Sequence, residues 1–211
     1  MSELLLGTAD GTMGYAEELG TEVYEKMREF FADHRVITLN KEIDNDILDT
    51  CVPLILKWNM EDKDIPAEDR KPITILVNSP GGNMFSAFTM IDVIQNSLTP
   101  IRTVAIGFVA SAAYYIYICG RERISFNNTV FLQHDGAIQV SDSRSKVKDF
   151  IDFNSIIEDR IKSLILKQSK MDSEFYDSIF EKEYYFYPDK GVELGVVDKI
   201  IGVDVGIESI L

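Results

Sequence analysis

Two histidines, two cysteines and one tryptophan among 211 residues leave this chain short of the side chains that metal and redox chemistry use most. Cys51 and Cys119 are too few for a disulfide framework or a cysteine-rich zinc site. Both stand in apolar runs, where a thiol behaves as a small hydrophobe. Cations are scarce too: 21 Lys and Arg against 35 Asp and Glu give a net charge of −14. So acidic a surface repels phosphate backbones and anionic lipid, which makes nucleic-acid binding and basic membrane docking poor hypotheses. No run approaches the roughly 18 uncharged apolar residues of a membrane-spanning helix. The opening residues, MSELLLGTADGTMG, have neither a basic stretch nor a long apolar one, so no secretory signal is expected. The expectation is a soluble cytoplasmic protein. Apolar residues, at 45%, are enough for one sizeable core.

Hydrophobic spacing then sets the organisation. Residues 1–14 are rich in Gly and Thr and read as a flexible arm; residues 15–211 read as a single domain. Val23, Met27, Phe30 and Phe31 predict a helix from about Tyr15 to Asp33, and Val36 to Leu39 a strand. Ile47, Leu48, Cys51, Leu54, Ile55 and Trp58 mark a second helix that Pro53 must kink or restart. Residues 59–72 form a charged loop. Strands over Ile73–Val77 and Ile101–Phe108 alternate with helices over Met84–Leu98 and Ala110–Cys119, the latter with Gly120 in the position after its cap. Two more strands flank an Asn-Asn turn, before a long helix from Ser143 to Lys170 with an apolar stripe of Val147, Phe150, Ile151, Ile157, Ile161, Leu164 and Ile165. Glu174–Phe180, Tyr184–Tyr187 and a turn opened by Pro188 and ended by Gly195 complete the pattern. Strand–helix alternation predicts an α/β fold with a largely parallel sheet.

Three spots are suited to chemistry, and each has a plainer explanation. Asn78-Ser79-Pro80-Gly81-Gly82 lies between a buried strand and a helix. Its glycines permit positive φ and a close backbone approach, so amides can face an oxyanion or a phosphate. The plainer reading is a tight turn, and the lysine and spacing of a phosphate-binding loop are missing. Ser111, in Val109-Ala110-Ser111-Ala112-Ala113, is sterically open where a strand gives way to a helix, as a nucleophile must be. It could equally be an ordinary N-cap. His134 ends the run Val130-Phe131-Leu132 and could act as a general base near neutral pH, or simply bond a carbonyl. One such histidine does not make a metal site.

Taken together these spots resemble the ClpP family of serine peptidases. The Asn-Ser-Pro-Gly-Gly turn is followed 29 residues after Gly82 by Ser111, and 23 residues later by His134. The resemblance runs from about residue 20 to 203 and includes the closing segment Gly191 to Ile200. It implies a ClpP/crotonase-like spiral of ββα units with a protruding handle helix, formed here by the long helix from Ser143. It implies Ser111 as nucleophile, His134 as base, and the backbone N–H groups of Gly82 and Ala112 as the oxyanion hole. It also implies two stacked heptameric rings, unfolded polypeptide or peptide substrates, no cofactor in the barrel, and feeding by a separate ATP-dependent AAA+ unfoldase. The arm, with Leu4-Leu5-Leu6, would stand at the axial gate. Two positions depart from the family pattern. Ala112 stands where Met is common, which leaves the backbone donor intact. Glu183 stands in place of the triad Asp, one methylene longer and still able to orient an imidazole. Asp135 follows His134 directly, so strand alternation is expected to point it to the opposite face. Asp135-Gly136-Ala137, where Gln-Pro is usual, resembles the divergent and prophage-associated branch. Two other readings stand beside the peptidase: a catalytically impaired ring subunit with a structural role, and a crotonase-like acyl-CoA enzyme using the same glycine amides.

Overall fold

The protein is described by a computed structural model covering residues 12–136 and 139–210. Helix α1 (Thr12–Asp33) begins three residues ahead of the expected Tyr15, and the rest of the expected arm lies outside the described residues. Strand β1 (Val36–Leu39) follows. The proline behaves as anticipated: α2 (Asp46–Thr50) stops, and α3 (Val52–Glu61) restarts with Pro53 in its first turn, where the missing N–H costs nothing. The charged loop is therefore shorter than its composition indicated, because α3 takes up residues 59–61.

The centre of the molecule is a mixed sheet dominated by parallel pairs. Strands β2 (Ile73–Ser79), β3 (Ile101–Ala110), β4 (Glu122–Phe126) and β7 (Lys199–Ile201) run parallel with β1 in the order β1-β2-β3-β4-β7. Five of the seven β2 residues are buried, as a continuous apolar strand requires when both faces are covered. One face packs against α2, α3, α4 (Met84–Asn96) and α5 (Ala112–Tyr117) in a single large apolar cluster. A smaller cluster on the other side joins Val104, Ile124, Ile201 and Ile210. All six residues of α5 are buried, so this helix is a core element.

Strand β3 changes partner halfway. Residues 102–105 pair with β4, whereas 108–110 pair with β5 (Val130–Gln133). Between them the register against β2 slips, from Val77↔Ala105 to Ser79↔Val109. The slip is a bulge built by Gly107, at φ +67°, and Asn78. The Asn78 Oδ1 accepts from the Phe108 N–H at 3.1 Å, and a Cβ on Gly107 would lie 2.8 Å from that oxygen. Asn78 thus clamps the bend that carries β3 onwards to Ser111, a role its place in a turn motif did not reveal.

Beyond β5 comes α6 (Arg144–Gln168), about 37 Å long at 1.5 Å per residue. Its apolar stripe splits in two. Ile157, Ile161 and Ile165 are buried, whereas Phe150, Ile151, Phe153 and Ile156 remain exposed at the far half. Helix α7 (Ser173–Phe180), the short strand β6 (Tyr184–Phe186) and α8 (Pro188–Glu193) finish the fold, with β6 antiparallel to β5. Gly195 takes the left-handed conformation after α8 at φ +68°. Gly120 does not: it has no positive φ, and a Cβ there would sit on the Thr103 hydroxyl, so close approach is what demands glycine. Among the described residues no helix is long and apolar enough to cross a membrane.

Candidate active site

Ser111 stands where β3 ends and α5 begins, with φ +52° and ψ −127°. A non-glycine residue held at positive φ is strained by roughly 1–3 kcal/mol, and such strain concentrates at functional sites. The backbone holds it there. The Ser111 N–H donates to the Leu132 carbonyl at 3.0 Å, extending the β3–β5 ladder, and the Ser111 carbonyl accepts from the Tyr114 N–H at 2.9 Å. Although Ser111 occupies the N-cap position of α5, its hydroxyl makes no capping bond. The ordinary N-cap explanation is thereby removed.

The glycine turn packs directly against this junction. Gly81 and Gly82 adopt φ +95° and +144°. A Cβ on Gly81 would lie 2.7 Å from both the Ala110 carbonyl oxygen and the Ser111 Cβ, and 2.9 Å from the Ala112 nitrogen. One on Gly82 would collide with the Ile43 carbonyl. Ile43 in turn grips the turn from both sides, donating to Gly81 O at 2.8 Å and accepting from Asn83 N at 2.7 Å. Asn83 then caps α4, accepting from the Phe85 and Ser86 amides. Among the described residues no backbone carbonyl takes up the Gly82 N–H. The Ala112 N–H, in the first turn of α5, is one of the helix donors without an intrahelical acceptor.

Ser111, His134, Gly81 and Gly82 line one cavity of about 320 Å³. His134 follows the last residue of β5, so the β3–β5 pairing that fixes Ser111 also fixes the histidine's approach. The Tyr115 hydroxyl donates to the His134 carbonyl at 3.1 Å, a support the sequence reading missed among the tyrosines of α5. His134 Nε2 is buried and has no hydrogen-bond partner among the described residues. Asp135 lines the same cavity. The expectation that it faces away fails because β5 ends at Gln133, and strand alternation does not extend beyond it.

Glu183 is placed differently. It is exposed, does not line the cavity, and accepts from the Tyr185 hydroxyl at 2.8 Å. Its backbone nevertheless precedes Tyr184, which pairs with Gln133, so Glu183 and His134 are the next residues along one antiparallel ladder. A larger hollow of about 870 Å³ lies elsewhere, among Arg121, Arg123, Lys167 and Lys199. Arg123 is paired with Asp198 and Lys199 with Glu122, and neither Ser111 nor His134 reaches it. Among the described residues no group of His, Cys, Asp or Glu could hold a metal ion.

A strained serine beside free amide donors, sharing a cavity with a histidine, defines a serine-hydrolase type of centre on an α/β scaffold. The family model described as Clp protease matches residues 18–204, and the chain belongs to that family of serine-type peptidases. It is 22% identical over 181 residues to ATP-dependent Clp protease proteolytic subunit 2 of Thermobifida fusca (strain YX), covering 85% of this chain and 86% of the relative. To the protein of the same name from Gluconobacter oxydans (strain 621H) it is 31% identical over 137 residues, 62% of this chain and 60% of the relative. The fold matches that of a ClpP1 point mutant from Listeria monocytogenes with a TM-score of 0.72 at 22% identity, over 83% of this chain and 95% of that one. The ClpP/crotonase-like architecture follows from that match.

Proposed function

We propose that the chain cleaves peptide bonds with Ser111 as nucleophile and His134 as general base. The observation that supports this best is the backbone-enforced φ of +52° at Ser111, a residue whose hydroxyl makes no capping bond and which lines the cavity that His134 shares. In this reading Ser111 Oγ bonds to the substrate carbonyl carbon while its proton passes to His134. The carbonyl oxygen becomes an oxyanion, stabilised by the Gly82 and Ala112 N–H groups. Collapse breaks the C–N bond, and His134 returns the proton to the departing amine. Water activated by His134 then hydrolyses the acyl-enzyme. Catalytic hydrogen bonds of this kind often tighten only around substrate, which accounts for the unpartnered His134 Nε2.

Glu183 is the orienting acid in this proposal, and it must release Tyr185 to reach His134. The exposed apolar half of α6 supports a ring-stacked barrel, with Phe150, Ile151, Phe153 and Ile156 as its buried contact. Peptide and unfolded-polypeptide substrates, delivery by an ATP-dependent AAA+ unfoldase and a cytoplasmic setting belong to the same reading, as does the axial role of the arm. The Glu183–Tyr185 contact also favours a second reading, in which the isolated subunit is impaired until a partner reshapes β6. The test is treatment with a fluorophosphonate and mapping of the adduct by mass spectrometry. Labelling at Ser111 that His134→Ala abolishes supports the peptidase. No adduct on intact rings supports the impaired subunit.

A further inference from the structure

The cavity beside Ser111 has a chemical character of its own. Among the described residues three carboxylates, Glu42, Asp135 and Glu158, line it, and no lysine or arginine does. Pro80, Met84, Ile157 and Ile161 add apolar surface to the same lining. Glu158 is half-buried on α6, next to the buried Ile157, and the Asn154 amide donates to its Oε1 at 2.6 Å. That bond fixes the side chain one turn from Asn154 and leaves the carboxylate's negative charge unpaired by any cation among the described residues. The field shows at a neighbouring group. Burial pushes the Tyr176 phenol up, and the charges of Asp177, Glu158 and Asp135 push it further in the same direction.

We infer that this cavity selects substrates carrying a lysine or arginine side chain next to the scissile carbonyl. The inference rests on the assignment of Ser111 as nucleophile. A long basic side chain has an apolar stem and a charged head, matching a lining that combines apolar side chains with carboxylates. About 320 Å³ is room enough for one such side chain together with water. A neutral aliphatic side chain would meet the same stem contacts but leave these like charges uncompensated; Glu42 and Asp135 are exposed, so the half-buried Glu158, less screened than a carboxylate in bulk water, contributes most. An acidic side chain would add a fourth. Discrimination therefore comes from repulsion as well as attraction.

The experiment measures how fast Ser111 is labelled by two peptidyl diphenyl phosphonates, one with a lysine-like side chain and one with a norleucine-like side chain. Labelling of wild-type protein at least tenfold faster by the cationic probe is expected. Glu158→Gln should cut that ratio severalfold, Asp135→Asn should also lower it, and added salt should narrow it. Equal rates, or a faster norleucine probe, would overturn the charge selection and leave Ser111 as nucleophile. Failure of both probes and of a plain fluorophosphonate to label Ser111 would overturn the peptidase reading, and this inference with it.

Discussion

The two ends of the expected triad are built very differently. Ser111 is fixed by backbone: a parallel ladder to β5, a buried helix beginning at its own carbonyl, and a glycine turn with no room for a single added carbon. Glu183 is exposed just before a three-residue strand, and among the described residues its side chain's hydrogen-bond partner is a tyrosine hydroxyl two residues away. On the proposed reading, attack geometry is over-determined, whereas imidazole orientation is left to a side chain that must exchange its tyrosine partner for His134. A fold can keep its nucleophile permanently strained and still regulate turnover through the weaker end.

Substitutions can break this comparison, beginning with the largest effect. Ser111→Ala should abolish adduct formation and lower kcat on the order of 10⁶-fold, with circular dichroism unchanged. Glu183→Gln should cost up to about 10⁴-fold in kcat without reducing thermal stability; a rate within threefold of wild type would strike it from the triad. Gly81→Ala attacks the rigid end. Its Cβ would press on Ala110 O and Ser111 at 2.7 Å, so a loss of about 10²–10³-fold, the scale of one lost oxyanion donor, should accompany a lower melting temperature. Tyr185→Phe, which frees Glu183, should give the smallest change, a rise in kcat of less than tenfold; a fall would show that the tyrosine supports the acid.

A scaffold control sharpens the contrast. Asp62, 1% exposed, receives both guanidinium nitrogens of Arg35 at 2.6 and 2.8 Å and the Thr99 hydroxyl at 2.6 Å. These bonds, Arg35 first, hold its carboxyl below the usual carboxylate range despite burial. Its stabilisation is therefore complete above the unfolded value near pH 4 and is lost as pH falls through the lowered one. Asp62→Ala should cost about 3 kcal/mol at neutral pH, read by urea denaturation, and the gap to wild type should close in strong acid. Ser111 should still be labelled in the fraction that stays folded.

The sequence carried most of the scaffold because its signals are local. Apolar runs marked β2 and β3, Pro53 marked the α2–α3 break, and Gly81-Gly82 marked the close approach to Ser111. What escaped was long-range. The bulge at Gly107 needs Asn78 from a neighbouring strand, and the support of His134 needs Tyr115 from the helix behind it. Neither pairing leaves a period or a spacing to read. Asp135 lines the cavity against expectation because strand alternation does not extend beyond the last residue of β5. Glu183 sits in the right register for His134, but register does not determine which hydroxyl a long side chain will choose.

The two cysteines give this molecule a pair of internal clocks. Cys51 lies at the α2–α3 break at 2% exposure, and Cys119 follows α5 at 7%, with burial pushing its thiol up to about 12. Neither offers a thiolate to a reagent while the fold is closed, so each modification event counts one opening of its own neighbourhood. Modification of Cys119 times the loosening of the helix that Ser111 precedes, and Cys51 times that of the α2–α3 layer, both in the unaltered chain.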